Sequence, residues 1–153
     1  MSEALTYDSL LTDIQTYAER DDQPFVSQVP RFVMLAENRL ASEVRGLGTQ
    51  KYVTGSFNSN TFPKPERWRE TISFNITASD GRKFLMPRSY DYCRAFWPDS
   101  AQTGVPRYYA DYQYEHFFVV PTPAQEYSFE LAYYERPEPL SAENQTNWFT
   151  QYA

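Results

Sequence analysis

The single histidine, His116, follows Glu115 and precedes the apolar run FFVV. A histidine beside a carboxylate is the pairing a general base uses, but it needs a nucleophile, and no G-x-S-x-G elbow or similar signal supplies one. A strand-edge histidine is the simpler reading. Cys93, the only cysteine, stands next to Arg94, whose charge would favour a thiolate. Cysteine is also among the most buried residue types, and burial is the expectation here. The carboxylate pairs Asp21-Asp22 and Glu135/Glu138 lie in predicted loops beside Arg20 and Arg136, which suits solvated ion pairs better than glycosidase-type acid and base work. RGLGT, residues 45–49, lacks the third glycine of a dinucleotide fingerprint and follows a helix instead of a strand, and no phosphate loop occurs elsewhere. One cysteine permits neither an intrachain disulfide nor a cysteine metal cluster. The expectation is no catalytic residue, no cofactor and no metal.

Bulk composition narrows the remaining classes. Twenty acidic against 14 basic side chains give a net charge of −6, with no basic run. A dedicated nucleic-acid binder draws its affinity from Lys and Arg and is disfavoured. The longest uncharged apolar stretch, Phe117 to Val120, falls far short of the roughly 20 residues that span a bilayer. The start MSEALTYDSLL has neither a basic n-region nor an apolar h-region, so folding in the cytosol without a signal peptide is expected. The 153 residues suit one domain with a helical appendage.

The elements follow from a change in hydrophobic period. After Thr6 as N-cap, Tyr7, Leu10, Leu11, Ile14 and Tyr17 mark one helical face, with Asp8 in the first turn where the macrodipole favours it. ERDDQP breaks that helix. Phe25, Val29, Phe32, Val33, Ala36, Leu40 and Val44 mark a second, ended by Gly46 and Gly48. Pro30 means either a short turn before a helix that starts there or one longer, kinked helix. Beyond Gly48 the period becomes two: Ile72, Phe74 and Ile76 share one face of a strand that turns at Asp80-Gly81 into KFLMP. PRYYADY, EHFFVVPTP and EYSFELAYYE read as three more strands, the last with Tyr127, Phe129, Leu131 and Tyr133 on one face. A short helix from Tyr90 to Phe96 is stopped by Pro98. TFPKPERW and ERPEPLS read as proline-punctuated loops. The predicted class is α+β: amphipathic N-terminal helices over residues 1–48 forming part of a bundle, and an antiparallel sheet or sandwich over 49–140, with 141–153 as a C-terminal segment.

The aromatic load, 18% of the chain, is heavy. Tyrosines on both faces of the late strands suit a surface that is mostly interface. Single-strand nucleic-acid stacking would need a basic groove, which the charge opposes, while an aromatic-rich carbohydrate-binding module stays open as the alternative. On the second helix, Arg31, Arg39 and Arg45 with Glu37 and Glu43 form either a solvated face or a set of inter-subunit pairs.

Five segments in order, TYDSLLTDIQTYAERDD, FVSQVPRFVMLAENRLASEVRGLG, GVPRYYADYQYEHFFVVPTP, YSFELAYYERPEPLS and QTNWF, resemble the head-to-tail adaptor (connector) proteins of tailed bacteriophages, podovirus-like in character. The resemblance covers nearly the whole chain and is closest over its first 48 and last 50 residues. It implies a non-enzymatic virion structural protein, assembled in the host bacterial cytoplasm and placed at the head–tail interface. Such proteins form a ring, typically of twelve copies, below the portal; the ring extends the DNA channel, lets DNA pass without sequence-specific binding, and offers a surface to tail or nozzle proteins. On this reading Arg31, Glu37, Arg39, Glu43, Arg45, Trp148, Phe149 and Tyr152 are the candidates for subunit or portal contacts. Arg107, Tyr108, Tyr109, Tyr112 and Tyr114 are the candidates for tail contacts. Members of the family continue past N-W-F into further helices, so residues 141–153 are expected to be truncated or to dock on a partner.

Overall fold

The computed structural model describes residues 5–152 and divides into two compact units. One comprises the residues up to Thr49 together with those from Arg136 onward; the other is Gln50–Glu135. Helices and antiparallel strands both occur, which is the α+β class expected.

In the helical unit, α1 (Tyr7–Ala18) starts where Thr6 and Ser9 cap each other reciprocally, satisfying donors that the helix itself leaves open. It ends at Glu19, which turns into the left-handed region at φ 52°. Arg20 then pairs with Asp22 at 2.7 Å, and that hydrogen bond holds the Asp22 carboxyl below the usual range. Asp22 also accepts from Phe25 N–H to start the one-turn α2 (Gln23–Val26). The longest helix, α3 (Val29–Glu43), carries Pro30 in its first turn, where a missing N–H costs nothing. Of the two readings of Pro30, the short turn before a new helix is the one found. The helix stops at Val44, which is extended, before either glycine.

The glycines have another use. A Cβ on Gly48 would lie 1.5 Å from Trp148 Nε1, and one on Gly46 would lie 3.2 Å from the same indole. Trp148 opens α5 (Trp148–Tyr152) and is seated against the bare backbone after α3. Asn147 caps α5 by accepting from Phe149 N–H at 3.0 Å.

The β unit is a sandwich. One sheet has the order β1 (Gln50–Phe57), β10 (Tyr127–Glu135), β3 (Trp68–Ala78), β4 (Gly81–Phe84), antiparallel throughout. The other runs β2 (Thr61–Pro63), β8 (His116–Val120), β7 (Tyr108–Gln113), β5 (Met86–Pro87), with β5 parallel to β7. A minor parallel pair joins β6 (Thr103–Gly104) to β9 (Thr122–Pro123). Their inner faces meet around Phe74, whose ring contacts those of Phe57, Phe62, Tyr109, Phe117 and Phe129 within 6.2 Å. Phe74, Phe117, Ile76 and Leu131 are essentially sealed from water. Much of the aromatic content therefore serves an interior in which tilted and edge-on rings pack a wide sandwich. The predicted helix Tyr90–Phe96 is α4; it lies over the outer face of β7 and β8, so that Phe118 and Val120 are buried as fully as Phe117 and Val119.

Three strand-level expectations change. Ile72 does not join Phe74 and Ile76: Ala132 faces Ser73 and Tyr133 faces Thr71, so Ile72 is the extra residue of a bulge and is 44% exposed. The turn after β3 shifts by one residue, with Ser79 and Asp80 at its tip and Gly81 at φ +116°. KYVTGSF and TFP, not assigned as strands from sequence, form β1 and β2. Gly55 of β1 lies opposite Phe129, whose ring comes within 2.9 Å of where a Cβ would stand. A bare backbone there leaves room for the neighbouring strand's side chain.

Replacing Gly48 by alanine is expected to expel the Trp148 indole from its seat. Unfolding followed by tryptophan fluorescence should show a red-shifted folded state and a loss of about 1–3 kcal/mol, the usual cost of overpacking.

Candidate assembly interface

The residues with catalytic chemistry are occupied structurally. His116 starts β8, and its Nδ1 is buried without a hydrogen bond. The groove beside it, about 340 Å³, is lined by residues that include Lys64, Arg67, Trp68 and Tyr114 and no serine, threonine or cysteine. Lys64 is committed elsewhere: its ammonium is 2.8 Å from Asp111 and sits 3.8 Å over the Trp68 ring. Cys93 is inaccessible in α4, and burial pushes its thiol above the ordinary range, with Arg88 opposing weakly. The neutral thiol that results is a poor nucleophile. Asp22 is taken by Arg20 and Glu135 by Arg67 and Lys51. No group of three potential metal ligands occurs among the described residues.

Two surfaces carry the candidates for contacts. In the helical unit Arg39 pairs with Glu43 at 3.0 Å along the exposed side of α3, and Arg31 stands on the same side without an ion pair among the described residues. Arg45 is exposed just beyond the helix. Glu37 is turned the other way. Its carboxylate accepts from Leu140 N–H at 3.2 Å and from Asn147 Nδ2 at 2.6 Å, fastening the C-terminal segment to α3. Gln145 completes the fastening, its carbonyl accepting from Tyr7 N–H and its side-chain oxygen from Asp8 N–H, two donors that the start of α1 leaves unpaired. Trp148 and Phe149 are thereby half-buried within this unit, while Tyr152 is exposed.

In the β unit the five candidates separate by strand parity. Tyr109 points inward and is 8% exposed, part of the sandwich core. Tyr108 points outward beneath α4, edge-on to Phe96 at 5.0 Å and to Tyr92 at 5.5 Å. Tyr112 and Tyr114 are exposed at the end of β7, with Tyr112 against Tyr90. Arg107 is exposed and borders a groove of about 610 Å³ whose walls are Phe84, Met86, Val105, Pro106 and Tyr108. Phe84, Met86 and Val105 are apolar and exposed there. Sequence reading did not find Phe84 or Met86; their signal was KFLMP, where apolar residues fall on consecutive positions too dense for a strand with one wet face.

The molecule thus has a well-filled sandwich, a helical unit with little buried surface, and no assembled reaction centre among the described residues. The SU10 adaptor protein family matches residues 5–153. The chain belongs to this family. Its members are head-to-tail adaptor proteins of phages, a structural class and not a class of enzymes. No curated protein matches the chain. Family membership makes the chain a phage virion component, and no helix among the described residues is long and apolar enough to cross a membrane.

Replacing Glu37 by alanine leaves the Leu140 N–H and the Asn147 amide without their acceptor. A loss of about 1–3 kcal/mol is expected, the cost of unpaired donors, and limited proteolysis should cut faster between Arg136 and Trp148.

Proposed function

We propose that this SU10-family chain is a head-to-tail adaptor that assembles as a ring, with twelve copies as the expected number, between the portal and the tail or nozzle. The match to the adaptor family over residues 5–153 carries this reading. Two features of the chain support it. The helical unit has apolar side chains on its surface that water does not suit, as expected of a part completed by neighbours. The acidic excess suits a channel wall that repels DNA instead of holding it. In this arrangement the exposed side of α3, with Arg31 and Arg39, and Arg45 just beyond the helix meet another subunit or the portal. The end of β7 and the groove beside Arg107 meet the tail, with Tyr112 and Tyr114 as exposed anchors and Tyr109 excluded by its burial. Assembly in the host cytoplasm follows from the partners.

Mixing the purified chain with portal rings of the same virus and imaging the particles by electron microscopy tests the reading. The expected result is an extra ring of density below the portal; portals that stay bare would count against it.

A further inference from the structure

Strands β4 and β5 lie at the margins of their sheets, and both contribute to the wall of the groove of about 610 Å³ beside Arg107. The two margins are finished differently. In β5, Met86 N–H donates to the Arg107 carbonyl and Arg88 N–H to the Tyr109 carbonyl, so Pro87 between them turns outward a nitrogen that has no hydrogen to offer. A proline there closes the edge to further strands. The edge of β4 is open. Leu85 N–H donates to the Phe74 carbonyl at 2.8 Å, and Lys83 stands opposite Ile76 and Gly81 opposite Ala78, so the antiparallel alternation turns the backbone of Gly81 and Lys83 toward β3. The N–H and C=O of Arg82 and Phe84 therefore point away from the sheet, without a partner among the described residues. β1, at the opposite margin of the same sheet, is also free of proline but lines no part of this groove.

We propose that β4 is extended by an added strand, an extended segment of a tail protein that carries apolar residues at alternate positions and a carboxylate among them. The proposal rests on the tail-docking reading above and names the chemistry of its partner. Outward N–H and C=O groups on a strand are satisfied by another extended backbone; a helix cannot supply one, because its own groups are used internally. The apolar walls fix the next feature. Phe84 is 66% and Met86 51% exposed, with Val105 beside them, and alternate side chains of an added strand fall on one side, where they can cover these three. Charge supplies the last. The groove's walls hold Lys83 and Arg107 and no carboxylate, in a chain whose net charge is −6. Lys83 is met by Asp80 at 2.9 Å. Arg107 has its backbone held on both sides, donating to the Val120 carbonyl and accepting from Met86 N–H, while its side chain is exposed and makes no ion pair among the described residues. A guanidinium projected from a fixed backbone is suited to a carboxylate, which it can hold with two parallel hydrogen bonds.

The test uses rings of the full chain on portals, mixed with the purified tail proteins of the same virus. Hydrogen exchange, read residue by residue by electron-transfer fragmentation, should show the Arg82 and Phe84 amides slowing when the tail protein binds and the Lys83 amide unchanged. Arg107→Glu should weaken tail binding several-fold. Arg82→Pro, which removes only an outward N–H from the backbone, should do the same, and Arg82→Ala, which keeps that N–H, should cost clearly less; ring formation on the portal checks that each variant is folded. Tail protein that binds without slowing the Arg82 and Phe84 amides, or that binds the Arg82→Pro and Arg107→Glu rings as it binds the unaltered ones, would overturn the proposal and leave the adaptor reading standing. So would slow exchange of those amides in rings before any tail protein is added, since a neighbouring copy would then hold the edge. Portals that acquire no ring would overturn both.

Discussion

Two helices cannot enclose a core between them, and the helical unit depends on that geometric limit. Each helix can bury one stripe against the other; the remaining apolar side chains must find cover elsewhere or stay wet. Here α1 buries no residue fully and α3 buries three of its 15. The C-terminal segment relieves part of the shortage. Glu37, Gln145 and Trp148 draw it back across the helices, and Gly46 and Gly48, lacking a Cβ, leave room for the indole. Phe32, Leu35 and Leu40 of α3 stay exposed after that.

The β unit faces no such deficit. β10 pairs with β1 on one side and β3 on the other, joining Phe57 to Tyr127 and Thr77 to Ser128 across long stretches of sequence, and the second sheet closes over the same aromatic core. Its stability is local to residues 50–135, so surface loops there can vary without disturbing the interior. A rigid sandwich that presents Tyr112, Tyr114 and the Arg107 groove suits a docking platform. A helical unit that leaves apolar side chains exposed fits the ring proposed above.

The sequence made some of this legible and hid the rest for physical reasons. Thr6 as a cap, the helix Tyr90–Phe96 and the alternation from Tyr127 to Tyr133 follow from local rules, and each was readable because its own residues decide it. Ile72 was misplaced because a bulge is settled by the partner strand: the alternation of ETISFNIT has no mark showing that β10 will skip a residue there. β1 went unread because Gly55 contributes no side chain and Phe129, seventy-four positions away, fills the place. The buried set on α3 is rotated from the predicted face, so that Phe32 and Leu40 lie outside it; amphipathic spacing shows that a helix has an apolar side but not which part of that side the same chain will cover. Trp148 and Phe149 were readable as aromatics that need a dock, but the dock itself, two glycines a hundred residues earlier, belongs to the tertiary fold. At the candidate interface Tyr108 and Tyr109 look alike in sequence, and one step of strand parity sends them to opposite sides of a sheet.

Hydrogen exchange, measured by mass spectrometry on the free chain and on the chain bound to portal rings, tests most directly whether the sandwich is complete alone and the helices are completed by neighbours. Amides of β3, β8 and β10 should be strongly protected and unchanged between the two states, while those of α1 and α3 should exchange fast in the free chain and slow at least tenfold on assembly. Equal and strong protection of α1 and α3 in the free chain, with no change on binding, would contradict the account.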